Sequence, residues 1–201
     1  MGRESALSFR TCSEQFKTAC FSPAIGLVLN KSGENRSKLY IGRKSVHGDK
    51  MKKLRVYIEN SVIGGYFDEE FRIPTVKLFE LFRKGIYKAV ISAHTVTELD
   101  DGAPDNVKIN LETVDCEQHE VSEEMLALSQ KYMSEKIVGK KYYGDALHIA
   151  VATVLGVDVL VSWNFRHIVN LNKIKLFNSV NMREGYAILE IRTPLEVIGD
   201  A

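Results

Sequence analysis

What the chain lacks narrows it before any motif does. No apolar run approaches the roughly 18 residues of a membrane-spanning helix. The longest run near the start, PAIGLVL at residues 23–29, is preceded by Glu14 and Lys17 and lacks the order of a secretory signal. No membrane partner is expected, and a cytoplasmic location is. The three cysteines, Cys12, Cys20 and Cys116, show no metal-type spacing, and their odd number gives no disulfide framework. That usage fits a reducing compartment. The net charge of +1 announces no nucleic-acid or membrane partner. Repeats and low-complexity tracts are absent. The glycines of VIGGYF are adjacent but belong to no GxxxxGK[ST] phosphate loop.

What is present is enough apolar material for one sizeable core: 201 residues, 45% hydrophobic and 26% charged. The small net charge hides an asymmetry. Residues 1–50 carry nine Lys/Arg against four Asp/Glu, leaving 18 against 22 beyond them. The same fifty residues are rich in Ser, Gly, Lys and Arg, and their apolar residues keep no period for long. At Met51 the text becomes MKKLRVYIENSV, which reads like the start of a protein. Residues 1–50 are therefore expected to be a disordered basic extension or an over-called start, rather than a small folded unit. Residues 51–201 are expected to form the working domain.

From Met51 on, strand-like and helix-like segments alternate. Residues 54–58 read as a strand. IPTVKLFELFRKG reads as a helix, with Pro74 near its start and Gly85 past its end. YKAVIS is a second strand, and residues 94–100 a short helix. APDNVKINLETVD is a helix or turn leading to strand-like Val114. VSEEMLALSQKYMSEKIVG is an amphipathic helix capped by Ser122, with Met125, Leu128 and Tyr132 on one face. GDALHIAVATVLG is apolar nearly all round, so it should be buried. VDVLVSW reads as a buried parallel strand, HIVNLNKIKLFNSVNMREG as a last helical region and AILEI as a last strand. The alternation predicts an α/β fold with a mainly parallel central sheet between helical layers.

In such folds functional groups gather beyond the carboxyl ends of the strands. Glu59 stands at the end of the first strand, Glu98 on the helix after the second, Asp145 at the start of the apolar helix, and Asn164 after VLVSW. Carboxylates gathered without Lys or Arg repel one another, and a divalent cation is the usual remedy. Oxygen-only ligands suit Mg²⁺ or Mn²⁺ rather than Zn²⁺.

VYIENSVIGGYF, TELDD, YYGDALHIAVA and VLVSWNFRHIVN, in this order, resemble the PIN-domain family, and most of all its VapC-like ribonuclease toxins of toxin–antitoxin pairs. The resemblance covers about residues 53–198, and GDALHIA followed by VLVSWNFRHI is its most specific part. It implies a PIN-like three-layer α/β/α fold and an acidic site that binds Mg²⁺ or Mn²⁺ and cuts single-stranded RNA. Carried over residue by residue, it makes Glu59, Glu98 and Asp145 the catalytic, metal-binding acids. Asn164 takes the fourth metal position, and Ser61 is the hydroxyl that steadies Glu59. Two departures stand out: the first acid is the longer Glu, and the fourth position is neutral Asn where Asp is frequent. A cognate antitoxin and a homodimer are expected by the same analogy.

Bland readings stand beside these. Asp145 could be a helix N-cap, and Asn164 could only close a turn. Glu98 could belong to a solvated face with Asp100 and Asp101. His148 is expected to bond a backbone carbonyl, Arg166 and His167 to be an exposed basic pair, Trp163 to be core, and Lys140 and Lys141 to be surface charges. Two other functional classes remain: a non-catalytic PIN-like module binding RNA or protein, and a phosphatase-type hydrolase. The second lacks its Asp-x-Asp pattern, since the first strand is followed by ENSV.

Overall fold

A computed structural model describes residues 52–199. The expectations for residues 1–50 lie outside the described residues. The elements are β1 (Leu54–Ile58), α1 (Asn60–Gly64), α2 (Arg72–Arg83), β2 (Tyr87–Ser92), α3 (Ala93–Gly102), α4 (Asp105–Glu112), β3 (Cys116–His119), α5 (Glu123–Ser134), α6 (Tyr143–Val154), β4 (Val159–Val161), α7 (Leu171–Arg183), β5 (Ile191–Arg192) and α8 (Pro194–Ile198). The five strands form one sheet in the order β3-β2-β1-β4-β5, and every pairing is parallel.

The strand period of two builds the layers. Tyr57, Val90, Leu160 and Ile191 point to one side and pack with Met125, Leu128 and Tyr132 of α5, the apolar body of α6, and Phe177 and Val180 of α7. Val56, Ile58, Ala89, Ile91, Val159 and Val161 point to the other side. They meet Val62 and Ile63 of α1, Leu78, Phe79 and Phe82 of α2, and Leu99 of α3. Helices thus cover both faces of an all-parallel sheet, as the strand–helix alternation predicts. Among the described residues no helix is long and apolar enough to cross a membrane.

Several boundaries differ from the expectation. Val114 is not in a strand: it is buried in the turn before β3, which begins at Cys116. VDVLVSW shrinks to Val159–Val161, and AILEI gives way to Ile191–Arg192, the residues that find ladder partners on neighbouring strands. Two five-residue helices, α1 and α8, are too short to show a 3.6-residue period.

Strand order reverses at β1. The chain runs β1, β2, β3 to one side, then crosses to β4 and β5 on the other. This switch point, at the carboxyl ends of β1 and β4, is where open parallel sheets leave a crevice.

Away from the crevice, Arg55 ties the sheet together. Its guanidinium donates to both carboxylate oxygens of Glu117 on β3, at 3.2 and 2.6 Å, and to Leu155 O at 2.8 Å. The Arg55 hydrogen bonds hold the Glu117 carboxyl at about 2, well below its usual 4.5. A lowered folded pKa means stability that is present above about pH 4.5 and lost as pH falls toward 2. Because the pair is partly exposed, Arg55→Met should cost only about 1 kcal/mol at pH 7. Acid melts should then show the variant converging on the parent between pH 4.5 and 2. Parallel curves would detach Glu117 from the acid transition.

Candidate active site

Glu59 follows β1 directly and is the N-cap of α1, 5% exposed. Both of its carboxylate oxygens accept from Ser61: one from the backbone N–H at 2.8 Å, the other from the hydroxyl. Ser61 Oγ also accepts the Trp163 N–H at 2.9 Å, so it bridges the loops after β1 and β4 across the switch point. Trp163 is buried, stacked on Phe71 at 4.5 Å, and its ring N–H donates to Thr75 at 3.0 Å. The core expectation for it holds. Gly65 answers the glycine pair in VIGGYF: a Cβ there would lie 2.9 Å from the indole.

Glu98 sits on α3 among three polar neighbours. Asn60 Nδ2 donates to its Oε2 at 2.5 Å, and His148 Nε2 lies 2.9 Å from the same oxygen. His94, one turn earlier on α3, places Nε2 3.2 Å from Oε1. That contact is within ion-pair range but off the hydrogen-bond line, and His94 Nε2 has no other partner. Burial opposes a charge on Glu98, but His148 and His94 more than offset it, and the carboxyl lies well below the usual carboxylate range. Asp100 and Asp101 are exposed, and Asp100 pairs with Lys108. Glu98 alone of this acidic run turns inward.

His148 corrects the expectation of a backbone-carbonyl partner. It is 2% exposed; its Nδ1 meets Tyr57 OH at 2.9 Å, and Tyr57 OH lies 2.9 Å from Ser92 Oγ. Burial disfavours the imidazolium, but the Tyr57 oxygen and the carboxylates of Glu98 and Glu59 outweigh it, so the His148 pKa is raised. The counter-charge beside Glu98 is thus a histidine.

Asp145 is not an N-cap. Tyr142 holds that position, and Asp145 lies in the first turn of α6. Burial, then the nearby charge of Glu59, push its carboxyl up to about 6. Asn164 Nδ2 donates to Asp145 Oδ1 at 2.9 Å, while Asn164 Oδ1 accepts the His167 N–H at 3.0 Å. Asn164 therefore braces Asp145 and closes a turn at once. Gly144, just before Asp145, gives Glu98 its room: a Cβ there would lie 2.8 Å from Glu98 Oε1 and 3.3 Å from His94 Nε2.

Basic groups flank Asp145 on one side. Lys173 Nζ donates to His167 Nδ1 at 2.7 Å and draws the Asp145 pKa downward. The His167 ring lies 3.7 Å from that of Tyr142, whose face Lys141 also covers at 4.9 Å. Arg166 is exposed as expected, but His167 is not: it is 7% exposed, and its Nε2 has no partner. Burial and the surrounding cations lower its pKa, which leaves a neutral ring with an uncommitted N–H.

Glu59, Ser61, Glu98, Asp145 and Asn164 thus lie along the carboxyl edge of the sheet, but among the described residues the cluster whose ligand atoms lie within 4.8 Å of one another is His94, Glu98 and His148, without Glu59 or Asp145. Burial and then the charge of Glu59 raise the Asp145 pKa, and a divalent cation would offset both. Sequence reading missed His94 and Asn60. The helix expected over residues 94–100 already carries the signal, since it sets His94 one turn before Glu98.

No protein-family model matches the chain, and no curated protein matches it. Among solved structures it is similar to VapBC2 from Rickettsia felis bound to a DNA fragment from their promoter. The identity there is 15% and the TM-score 0.43, over 69% of this chain and 98% of that one. A likeness so slight carries no argument about activity.

Proposed function

We propose that this chain is a metal-dependent endoribonuclease that hydrolyses phosphodiester bonds of single-stranded RNA, and that it is the toxin of a toxin–antitoxin pair. One observation supports the nuclease reading: the charges of Glu59 and Glu98 both act on Asp145 at the carboxyl edge of the sheet, with Lys173 acting on it in the opposite sense. The toxin role, the antitoxin partner and a homodimer rest on the sequence motifs that resemble VapC-like proteins.

In this reading Glu59, Glu98 and Asp145 hold Mg²⁺ or Mn²⁺. When bound, the cation lowers the pKa of a water and offsets charge on the leaving oxygen. The residues supply the rest. Ser61 fixes Glu59 through two hydrogen bonds, so its carboxylate needs no reorganisation on binding. Asn164 holds Asp145 through its amide N–H. In this reading Lys173, Arg166 and the His167 ring would hold the RNA backbone, which carries affinity without sequence preference.

The test is cleavage of single-stranded RNA by the purified protein in Mg²⁺ or Mn²⁺, stopped by EDTA. A second reading, a non-catalytic RNA- or protein-binding module, is favoured by one feature: Glu98 already has histidine partners. Binding of RNA without cleavage in any divalent ion would establish that reading. Gly144→Ala probes the same geometry. Its methyl would press on Glu98 Oε1, and a displacement near 1 Å is enough to lower cleavage roughly 10-fold or more. Parent-like turnover would mean Glu98 need not sit where Gly144 lets it.

A further inference from the structure

We infer that His94, Glu98 and His148 form a second, nitrogen-rich metal position that takes a transition ion of the Zn²⁺ or Co²⁺ class. It is distinct from the oxygen-only position of Glu59 and Asp145 and shares only Glu98 with it. The three ligating atoms lie within 4.8 Å of one another. His148 Nε2 and His94 Nε2 approach the two oxygens of one carboxylate at 2.9 and 3.2 Å. Ligand atoms around a tetrahedral Zn²⁺ are roughly 3.3 Å apart, given Zn–N and Zn–O lengths near 2.0–2.2 Å. Side-chain adjustments of about an ångström would close the set.

Four further observations point to an ion rather than to a plain ion pair. His94 Nε2 is buried without a hydrogen-bond partner. Asn60 Oδ1, held beside Glu98 by the bond from Asn60 Nδ2, is buried and unpartnered too. Two unsatisfied polar atoms beside one carboxylate are a cost that an ion and its bound water would remove. The absence of a Cβ at Gly144 keeps open the space next to Glu98 Oε1 and His94 Nε2. Finally, His148 Nδ1 faces Tyr57 OH, which in turn can donate to Ser92. With Nδ1–H donated to Tyr57, a metal ion would displace the Nε2 proton that now faces Glu98 and take the Nε2 lone pair, the ring being oriented as metal-binding histidines usually are. Two histidines and one carboxylate leave a fourth position open, which is the ligand count of a reactive rather than a structural zinc centre. Imidazole donors favour ions of the Zn²⁺ or Co²⁺ class over Mg²⁺.

The probe is Co²⁺ titrated into the purified full chain, read by visible absorption in the presence of excess Mg²⁺. One equivalent should bind with the intense visible bands of a tetrahedral nitrogen–oxygen site, and Zn²⁺ should displace it. His94→Ala, at a partly exposed position, should fold like the parent and weaken Co²⁺ binding by about 10²-fold or more. Tyr57→Phe should weaken it roughly 10-fold, as loss of an orienting partner does. Faint octahedral bands, thiolate charge-transfer bands from the cysteines, or unchanged affinity in His94→Ala would overturn the inference. RNA cleavage is not read in this experiment, so its result and that of the nuclease reading stand apart.

Discussion

Asp145→Asn should cut RNA at least roughly 10²-fold more slowly than the parent, while the metal-free protein becomes no less stable. The size follows from losing one main electrostatic stabiliser of the metal-assisted reaction. The stability argument follows from the local geometry. Asn at 145 keeps an oxygen for the Asn164 amide, which now donates at 2.9 Å. It removes a charge that burial and Glu59 disfavour, as the carboxyl pushed up to about 6 records. A folded pKa above the unfolded one means that the parent loses stability as pH rises from about 4 through 6. With allowance for partial exposure, the variant should gain about 1 kcal/mol at pH 8 and little at pH 4. Glu59→Gln should lose activity to a similar extent, but it also gives up one of the two bonds from Ser61, so some stability should go with it. Cleavage rates and melting curves on the same preparations decide the matter. If both variants cut like the parent, the acids are not the site. If Asp145→Asn melts well below the parent, Asp145 is a structural brace.

The strand and helix frame is largely legible in the sequence. Leu54–Ile58, Tyr87–Ser92 and the buried α6 announce themselves because parallel strands and a buried helix read as apolar runs. Glu59 and Glu98 follow such runs and Asp145 opens one, so all three are read onto the same edge of the sheet. The pairings inside the edge were not visible. Tyr57 and His148 are 91 positions apart and meet only because α6 packs on the face of β1 to which Tyr57 points. Lys173 reaches His167 and influences Asp145 only because α7 starts beside α6. Short elements fail for another reason: α1 and α8 have five residues each, too few for a period. The role of Asn164 lay in between. Its place after β4 was legible, but which end of its amide faces Asp145 depends on where the His167 N–H points.

That amide yields the second large effect. Asn164→Asp would set two carboxylates against each other at a separation near the present 2.9 Å. Two acids this close cannot both ionise cheaply, so the pair should titrate together with one pKa strongly raised. The sign is that of Asp145 and the size larger: stability should fall as pH rises through the raised pKa. At pH 8 and without metal the variant should lose about 2 kcal/mol, and at pH 5, where one proton is shared, much less. The turn should survive, because the new carboxylate still offers an oxygen to the His167 N–H, which the amide now holds at 3.0 Å. Mg²⁺ or Mn²⁺ should return the lost stability by mass action. With four charges where there were three, half-maximal cleavage should need less metal. Melting curves across pH, with and without metal, together with a metal titration of cleavage, separate three cases. Loss of stability with tighter metal use places residue 164 at the ion. Loss of stability with unchanged metal use leaves Asn164 a brace for Asp145. Neither change would reduce it to a turn residue and break the link between the β4 loop and the site.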